Sequence, residues 1–265
     1  MSDTGDGGRL EQAPRRHARL IFVVGMHRSG TSAVARGLQT AGVSFGNDLL
    51  PPAPDNPKGF YEDRHVLDLH ERLLDHLNLK WYSLASVPEH ALLGSISQSF
   101  RREAALLVER KLSSSSLAGI KDPRLCLFHP LWQSALRDQN SDVSYVLVVR
   151  HPFSIAESLA KRNQIERVYT MALWLAHMAP LLEAQRRFGQ SVVTDYDLLM
   201  DNPRHELERI RRALHLPAPP EADVSIFADI FLDRRLRHHA RPRDEDLRDS
   251  AAQNLWDALR RAATA

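Results

Sequence analysis

The sequence predicts a three-layer α/β fold, in which a central, mostly parallel sheet carries helices on both faces. Residues 19–26 (RLIFVVGM) form an apolar run without polar alternation, as expected of a strand that is buried on both faces. A glycine-bearing turn and a helical segment that ends near Gly42 follow, and residues 145–149 (YVLVV) repeat the strand pattern later in the chain. Strands that alternate with helices in this way are typical of a parallel sheet covered on both sides.

The segment between these two strands predicts one loop, two helices and a short strand. Residues 43–62 carry many Pro, Gly and Asn residues and predict an ordered loop. Helical periodicity returns over residues 63–79, and a further helix is predicted for residues 100–112, with a surface loop of serines at 113–116. Residues 118–120 predict a strand that ends in KDPR. The apolar positions of the first of these helices are Val66, Leu67, Leu69, Leu73, Leu74 and Leu77.

The chain continues to alternate after the strand at 145–149, which ends at Arg150. The elements predicted beyond it are a helix from about residues 151–153 to Arg162, a helix at about 166–188, a strand at 191–194 and a helix that begins near Pro203.

The length of 265 residues suits one α/β domain. We expect residues 1–18, which are polar and lack the apolar segment of a signal peptide, to be a disordered tail. Residues 19–265 would then form a single domain, in which residues 224–265 would be a helical extension or a lid. No run approaches the roughly 20 apolar residues that a membrane-spanning helix needs, so we expect a cytoplasmic protein without a membrane span. The single cysteine, Cys126, lies in an apolar stretch and predicts a buried core thiol.

The charge of the chain is nearly balanced, with 35 Lys and Arg against 33 Asp and Glu. A net charge of +2 gives no reason to expect a nucleic-acid partner, so any strong positive field must be built locally around one pocket. The thirteen histidines show no zinc-type spacing, and we expect no metal site.

Residues 25–32 (GMHRSGTS) place two glycines at the spacing of a Walker A loop, between the first strand and a helix. Inward N–H groups and the helix dipole make this a physically reasonable phosphate site. However, Thr31 stands where a nucleoside triphosphatase has its lysine, and Arg150 stands where a Walker B aspartate would bind Mg²⁺. Both departures disfavour ATP or GTP hydrolysis, and Arg28 within the loop offers positive charge without a metal.

Two motifs resemble the sulfotransferases that use 3′-phosphoadenosine 5′-phosphosulfate (PAPS) as donor. GMHRSGTS resembles the family's 5′-phosphosulfate-binding loop, with common forms PKSGT and PRSGT. VVRHPFSIAESLAKR resembles its 3′-phosphate motif, an Arg at a strand end and a Ser eight residues later. The resemblance covers about residues 20–216 and implies a sulfotransferase fold like that of P-loop NTPases, with PAPS as co-substrate. It assigns donor binding to Arg28, Ser29, Gly30, Thr31, Ser32, Arg150, Ser158 and Arg162.

The geometry expected of the second motif agrees with this assignment. An Arg that leaves a strand edge and a Ser one to two turns into the next helix can converge on one small anion. Ser158 and Arg162 are four residues apart and share a helix face. Alternatively, Arg162 is a solvated arginine on the helix surface.

Two further segments extend the resemblance. VTDYDLLMDNP resembles a family element that would place Tyr196 near the nucleotide, although a core tyrosine is an equal alternative. Lys121, Asp122 and Pro123 resemble the KDP segment of the protein-tyrosine sulfotransferases, where the lysine acts at the reaction centre. Similarity to other branches of the family suggests that the segment with Arg237, His238 and His239 closes over the nucleotide.

Sulfuryl transfer needs a base for the acceptor hydroxyl and positive charge on the transferring group. Arg28 and Lys121 are the expected sources of that charge. The resemblance places the base between the first two helices, where Glu62 is the first choice, His65 the second and Asp63 the third. Alternatively, Glu62 only caps the following helix.

The acceptor is expected to be a small molecule or a glycan with a free hydroxyl. The loop at 43–62 and residues 80–100, with Trp81 and Tyr82, are expected to shape its cleft, and His27 either touches the acceptor or fills space. Two other functions remain open, a P-loop kinase of small metabolites and a nucleotide-binding protein without catalytic activity.

Overall fold

The computed structural model describes residues 18–85, 87–137, 139, 141–185, 189–233 and 250–264. At its centre lies a four-stranded sheet in which every pairing is parallel. The strands are β1 (Arg19–Val24), β2 (Leu117–Lys121), β3 (Asp142–Val149) and β4 (Gln190–Asp195), arranged in the order β2-β1-β3-β4. This confirms the predicted α/β fold with a parallel sheet.

Helices connect the strands and cover them. The α-helices are α1 (Thr31–Thr40), α2 (Arg64–His76), α3 (Glu89–Leu93), α4 (Gln98–Ser114), α5 (Leu125–Ala135), α6 (Pro152–Asn163), α7 (Arg167–Gln185), α8 (Tyr196–Asp201), α9 (Pro203–Ala213), α10 (Glu221–Ser225) and α11 (Ser250–Thr264). A 3₁₀ turn at Ser95–Ser97 precedes α4, and a π-helix at Ile226–Phe231 continues α10.

The sheet is buried on both faces, because successive side chains of a strand point to opposite sides. In β1, Leu20 and Phe22 belong to an apolar cluster with residues of α2, α4, α5, α6, α7 and α11. Ile21 and Val23 belong to a second cluster with residues of α1, α8, α9, α10 and the π-helix. Two apolar clusters on opposite faces of one sheet give the three layers predicted from the apolar runs.

The predicted elements are present, with ends shifted by a few residues, but helices α3, α5 and α8 were not predicted. The segment of α5, LCLFHPLWQSA, is largely apolar and contains Pro130, which disfavours a helix interior, although its buried residues recur at helical spacing. The predicted serine loop at 113–116 was also partly wrong, because α4 continues to Ser114. Cys126 lies in α5 and is buried, as expected.

The C-terminal helix α11 packs against the sheet and α7, and buries Trp256 and Leu259 in the first cluster. Whether the segment from residue 224 acts as a lid stays a prediction. Residues 1–17 of the expected tail at 1–18, and the basic residues Arg237, His238 and His239, lie outside the described residues, whereas Ala18 accepts a hydrogen bond from the backbone N–H of Asp142. Within the part of the chain that the structure describes, no helix is long and apolar enough to cross a bilayer.

The topology creates a crevice at the carboxyl edge of the sheet. From β1 the chain crosses to β2 on one side, and it later returns to β3 on the other side of β1. The loops that follow β1 and β3 therefore diverge at this edge, which is where open parallel sheets bind their ligands.

Candidate active site

A cleft of about 950 Å³, including space open to solvent, lies at this edge. Each strand contributes a lining residue at or shortly after its end, namely Arg28, Lys121, Arg150 and Tyr196. The cationic residues of the lining are Arg28, Lys58, Lys121, Arg150 and Arg162, and the acidic ones are Asp55, Glu62 and Asp233. The described lining thus carries more positive than negative groups, as a site for a phosphorylated ligand requires.

The glycine loop between β1 and α1 is tightly folded. Gly30 has a φ of 96° and caps α1, and Arg28 has a φ of 69°, so both backbones are left-handed. Thr31 and Ser32 form the first turn of α1 and line the cleft, where N–H groups lack partners within the helix. Ser29 is buried beneath the loop instead of lining the cleft. The loop has the form that the glycine motif predicts for an anion site.

Gly30→Ala tests how tightly this loop is built. A Cβ at Gly30 would lie 2.1 Å from Cδ2 of Tyr196, whereas a Cβ at Gly42, with a φ of 87°, would meet nothing within 4 Å. We expect Gly42→Ala to lower the free energy of unfolding by about 1–2 kcal/mol through its left-handed backbone alone. Gly30→Ala should cost about 1–3 kcal/mol more from the clash, measured by urea denaturation. Equal losses in the two variants would contradict the close approach of Tyr196.

Three residues of the predicted 3′-phosphate motif, Arg150, Ser158 and Arg162, lie near Arg28 of the glycine loop. We call these four residues the donor end of the cleft, after the role predicted for them. Nε of Arg28 donates a hydrogen bond to Oγ of Ser158 at 2.8 Å. Nη1 of Arg150 donates to the backbone carbonyl of Arg28 at 3.1 Å, and its guanidinium lies 4.6 Å from the ring centroid of Tyr196. The side chains of Arg150, after β3, and Ser158, in α6, are thus both hydrogen-bonded to Arg28 of the glycine loop.

Burial and the neighbouring Arg162 lower the pKa of Arg28, while Asp55 opposes this effect. Clustered arginines repel one another, and an anionic ligand would relieve the repulsion. Arg162 lines the cleft, with its side chain 32% exposed and its Nε 2.8 Å from Oδ2 of Asp55, and its role in donor binding stays a prediction. Arg28 contacts Ser158 and Asp55. Its predicted role, the stabilisation of negative charge on the transferring sulfuryl group, stays a prediction.

The same cleft is also lined by Glu62 and Lys121, which we call its reaction end, after the roles predicted for these residues. Nζ of Lys121 donates to Oε1 of Glu62 at 2.6 Å, and both residues are buried. Tyr61 has a φ of 59°, and this left-handed residue turns the backbone immediately before Glu62. The structure therefore brings together the carboxylate and the ammonium that the sequence assigned to base and charge stabilisation.

Glu62 does not cap α2, and the other two base candidates lie elsewhere. Asp63 caps α2 by accepting hydrogen bonds from the backbone N–H groups of His65 and Val66, and it pairs with Lys111. The side chain of His65 is 57% exposed and lies 3.6 Å from Asp48, outside the cleft lining. The second choice, His65, and the third, Asp63, thus lie outside this lining, and which residue acts as the base stays a prediction.

A buried polar network behind Glu62 was missed in the sequence. Nη1 of Arg124 lies 3.8 Å from Oε2 of Glu62 and donates to Oδ1 of Asp122 at 3.1 Å. Nδ1 of His70 lies 3.5 Å from Asp122, and Nε2 of His70 accepts a hydrogen bond from Trp132. Because Trp132 donates to Nε2, a neutral His70 carries its proton on Nδ1, facing Asp122. The network holds Arg124 beside the second oxygen of Glu62.

Asp122→Asn should expose the importance of this network for stability. Burial opposes the charged form of Asp122, but Arg124 and His70 outweigh it and lower its pKa. The charged pair therefore stabilises the fold above the pKa of an unfolded aspartate, about 4, and that stability is lost as the pH falls.

Removing one partner of a buried pair costs about 3–5 kcal/mol, and we expect a loss of that size in urea denaturation at neutral pH. Asp68→Asn, which breaks an exposed pair with Arg72, should cost less than about 1 kcal/mol. Similar losses in both variants would contradict a structural role for the network.

His27 lies between the cleft and the segment that was expected to shape the acceptor site. It lines the cleft, and its ring centroid is 4.3 Å from that of Trp81. Burial and the nearby Arg124 lower the pKa of His27 well below its ordinary value, so the ring is neutral at neutral pH. Its Nε2 is buried without a hydrogen-bond partner. His27 thus joins the reaction end to Trp81 without adding charge.

Among the described residues, no group of three or more His, Cys, Asp or Glu side chains is arranged to hold a metal ion. The absence of a metal from the reaction stays a prediction.

Comparisons with known proteins identify the chain. The model of the sulfotransferase family matches residues 20–220. A solved structure, the sulfotransferase domain from the Synechococcus PCC 7002 olefin synthase, is 18% identical, with 93% of each chain covered and a TM-score of 0.49. No curated protein matches the sequence. Because the family model matches most of its length, this chain belongs to the sulfotransferase family.

Proposed function

We propose that this protein is a PAPS-dependent sulfotransferase that transfers a sulfuryl group to an acceptor hydroxyl and releases 3′-phosphoadenosine 5′-phosphate (PAP). The observation that carries the proposal is one cleft with an arginine cluster at its donor end and a Glu62–Lys121 pair at its reaction end. The glycine loop, which lacks a Walker lysine, follows β1. Strand β1 lies between β2, which ends at Lys121, and β3, which is followed by Arg150. Family membership supports sulfuryl transfer in general, and these residues support the donor.

The donor end suits the 3′-phosphate of PAPS. Arg28, Arg150 and Arg162 offer guanidinium groups, and Ser158 offers a hydroxyl, which together match the acceptor oxygens of a phosphate. The phosphosulfate would lie over the first turn of α1, at Thr31 and Ser32, where backbone N–H groups favour anions. Tyr196 stacks against Arg150 and holds its guanidinium in place.

The reaction end suits an in-line displacement. The acceptor oxygen forms a bond to sulfur while the bond from sulfur to the phosphate oxygen breaks, and the acceptor proton passes to the carboxylate of Glu62. Lys121 would leave its hydrogen bond with Glu62 to stabilise charge on the transferring group and the leaving phosphate. Because PAP is a good leaving group, this route needs no metal ion.

The acceptor would approach from the side of His27 and Trp81. This side carries aromatic surface, with Tyr82 partly exposed and its carbonyl bound by Tyr169. A carbohydrate, a lipid or a natural product with a free hydroxyl fits such a surface. We propose a small-molecule or glycan acceptor and a cytoplasmic setting, where the nucleotide donor is available, with no nucleic-acid partner.

A transfer assay tests the proposal. The purified protein would be incubated with PAPS and pools of hydroxylated sugars, lipids and phenols, with PAP release and product mass as readouts. We expect PAP release that depends on one acceptor pool, and a product heavier by one SO₃ group. PAP binding without transfer to any pool would favour a nucleotide-binding protein without catalytic activity.

A further inference from the structure

One carboxylate stands among the arginines of the donor end. Oδ2 of Asp55 lies 2.8 Å from Nε of Arg162 and 3.8 Å from Nη1 of Arg28. The backbone carbonyl of Asp55 also accepts a hydrogen bond from Nη1 of Arg28 at 3.2 Å. A negative charge at this position would repel any phosphate that approaches the same arginines.

The contact of the Asp55 carboxylate with these arginines is weak in geometry. Although Oδ2 is close to Nε of Arg162, it makes no hydrogen bond, because the N–H does not point at it. The three side chains are 22–32% exposed, and ion pairs of this kind contribute little. A phosphate carries more charge and three acceptor oxygens, so it can bind both guanidinium groups and Ser158 together.

We propose that Asp55 sets the affinity for the donor, because its carboxylate occupies, in the free protein, the place that the donor's 3′-phosphate takes on binding. The inference rests on the proposed function, since it takes a 3′-phosphorylated nucleotide as the ligand. Donor binding is then an exchange of anions, in which the phosphate replaces the carboxylate between Arg28 and Arg162.

Displacement of the Asp55 carboxylate would also change the conformation of the loop at residues 53–59, which contains Asp55. Ala53 and Asn56 are joined by two backbone hydrogen bonds, so Asp55 lies in a closed turn that moves as a unit. Nδ2 of Asn56 donates to the carbonyl of Gly59 at 2.7 Å and lies 3.4 Å from Oγ of Ser32. The exchange therefore connects the donor end to Ser32 at the start of α1.

Asp55→Asn tests the exchange, because it removes the charge and retains the size of the side chain. We expect the dissociation constant of PAP, measured by calorimetry at low ionic strength, to fall about two- to fivefold, the size that one partly exposed ion pair supports. Adenosine 5′-monophosphate, which lacks the 3′-phosphate, should bind wild type and variant equally. Asp48→Asn is the matched control, since Asp48 pairs with Arg64 and His65 outside the cleft.

Other outcomes distinguish the inference about Asp55 from the proposed sulfotransferase function. Unchanged or weaker binding of PAP by Asp55→Asn, with normal binding by the wild type, overturns this inference and leaves the proposed function intact. An equal gain for adenosine 5′-monophosphate would also overturn it, because the carboxylate would then act on the whole nucleotide instead of on the 3′-phosphate. If neither protein binds PAP, both the inference and the proposed function are wrong.

Discussion

Arg150→Ala is expected to remove the stabilisation of this protein by PAP. Arg150 is 7% exposed, follows the end of β3 and is held by the carbonyl of Arg28 and the ring of Tyr196. Truncating one partner of a buried charge pair costs about 2–5 kcal/mol of binding, which is about 30-fold or more in the dissociation constant. Calorimetry and thermal melts with PAP would measure this loss.

Two further variants control this experiment. Arg150→Lys keeps the charge but not the bidentate fork, so we expect intermediate binding. Arg101→Ala removes a guanidinium that is held by the carbonyls of Leu92 and Gly94, outside the cleft lining, and should bind PAP like the wild type. Unaltered PAP binding by Arg150→Ala would show that the 3′-phosphate lies elsewhere.

Glu62→Gln is expected to lower kcat with the active acceptor by about 100- to 10,000-fold, the usual contribution of a general base. The amide keeps the shape and still accepts a hydrogen bond from Lys121, but it takes no proton from the acceptor. Binding of PAP should change little, because Glu62 lies at the reaction end. Initial rates at saturating PAPS and acceptor measure the effect on the folded enzyme.

Glu103→Gln makes the same substitution on α4, in an exposed pair with Arg72 of α2, and should leave kcat unchanged. If Glu62→Gln retained a kcat within a few-fold of the wild type, Glu62 would not be the base. The neutral ring of His27, which also lines the cleft, would then be the next residue to test.

The parts of the fold and site that were predictable are those set by local sequence. The apolar runs of β1 and β3 predicted strands buried on both faces, and the motifs after them indicated Arg28, Arg150 and Ser158 as donor-binding residues. That Arg28 contacts Ser158 was not predicted. Helix α5 was not predicted, because its segment is short and largely apolar and contains Pro130, which disfavours a helix interior.

The contacts that were missed join residues far apart in the chain. His70 and Trp132 are 62 positions apart, and Arg28 and Asp55 are 27 apart, so no spacing rule indicates that they meet. The choice between Glu62 and His65 depended on side-chain direction, which the left-handed Tyr61 and the Asp63 cap decide. A single sequence carries no signal for such directions.

The central claim, that the cleft binds a 3′-phosphorylated sulfuryl donor, is tested most directly by thermal melts of the wild type with PAP, with ATP and Mg²⁺, and without ligand. A ligand at a hundred times its dissociation constant adds about 2.7 kcal/mol, which raises the midpoint by about 5–11 °C at roughly 2–4 °C per kcal/mol for a chain of this size. We predict such a rise with PAP and none with ATP and Mg²⁺. A rise with ATP and Mg²⁺ but not with PAP would contradict the account and favour a kinase.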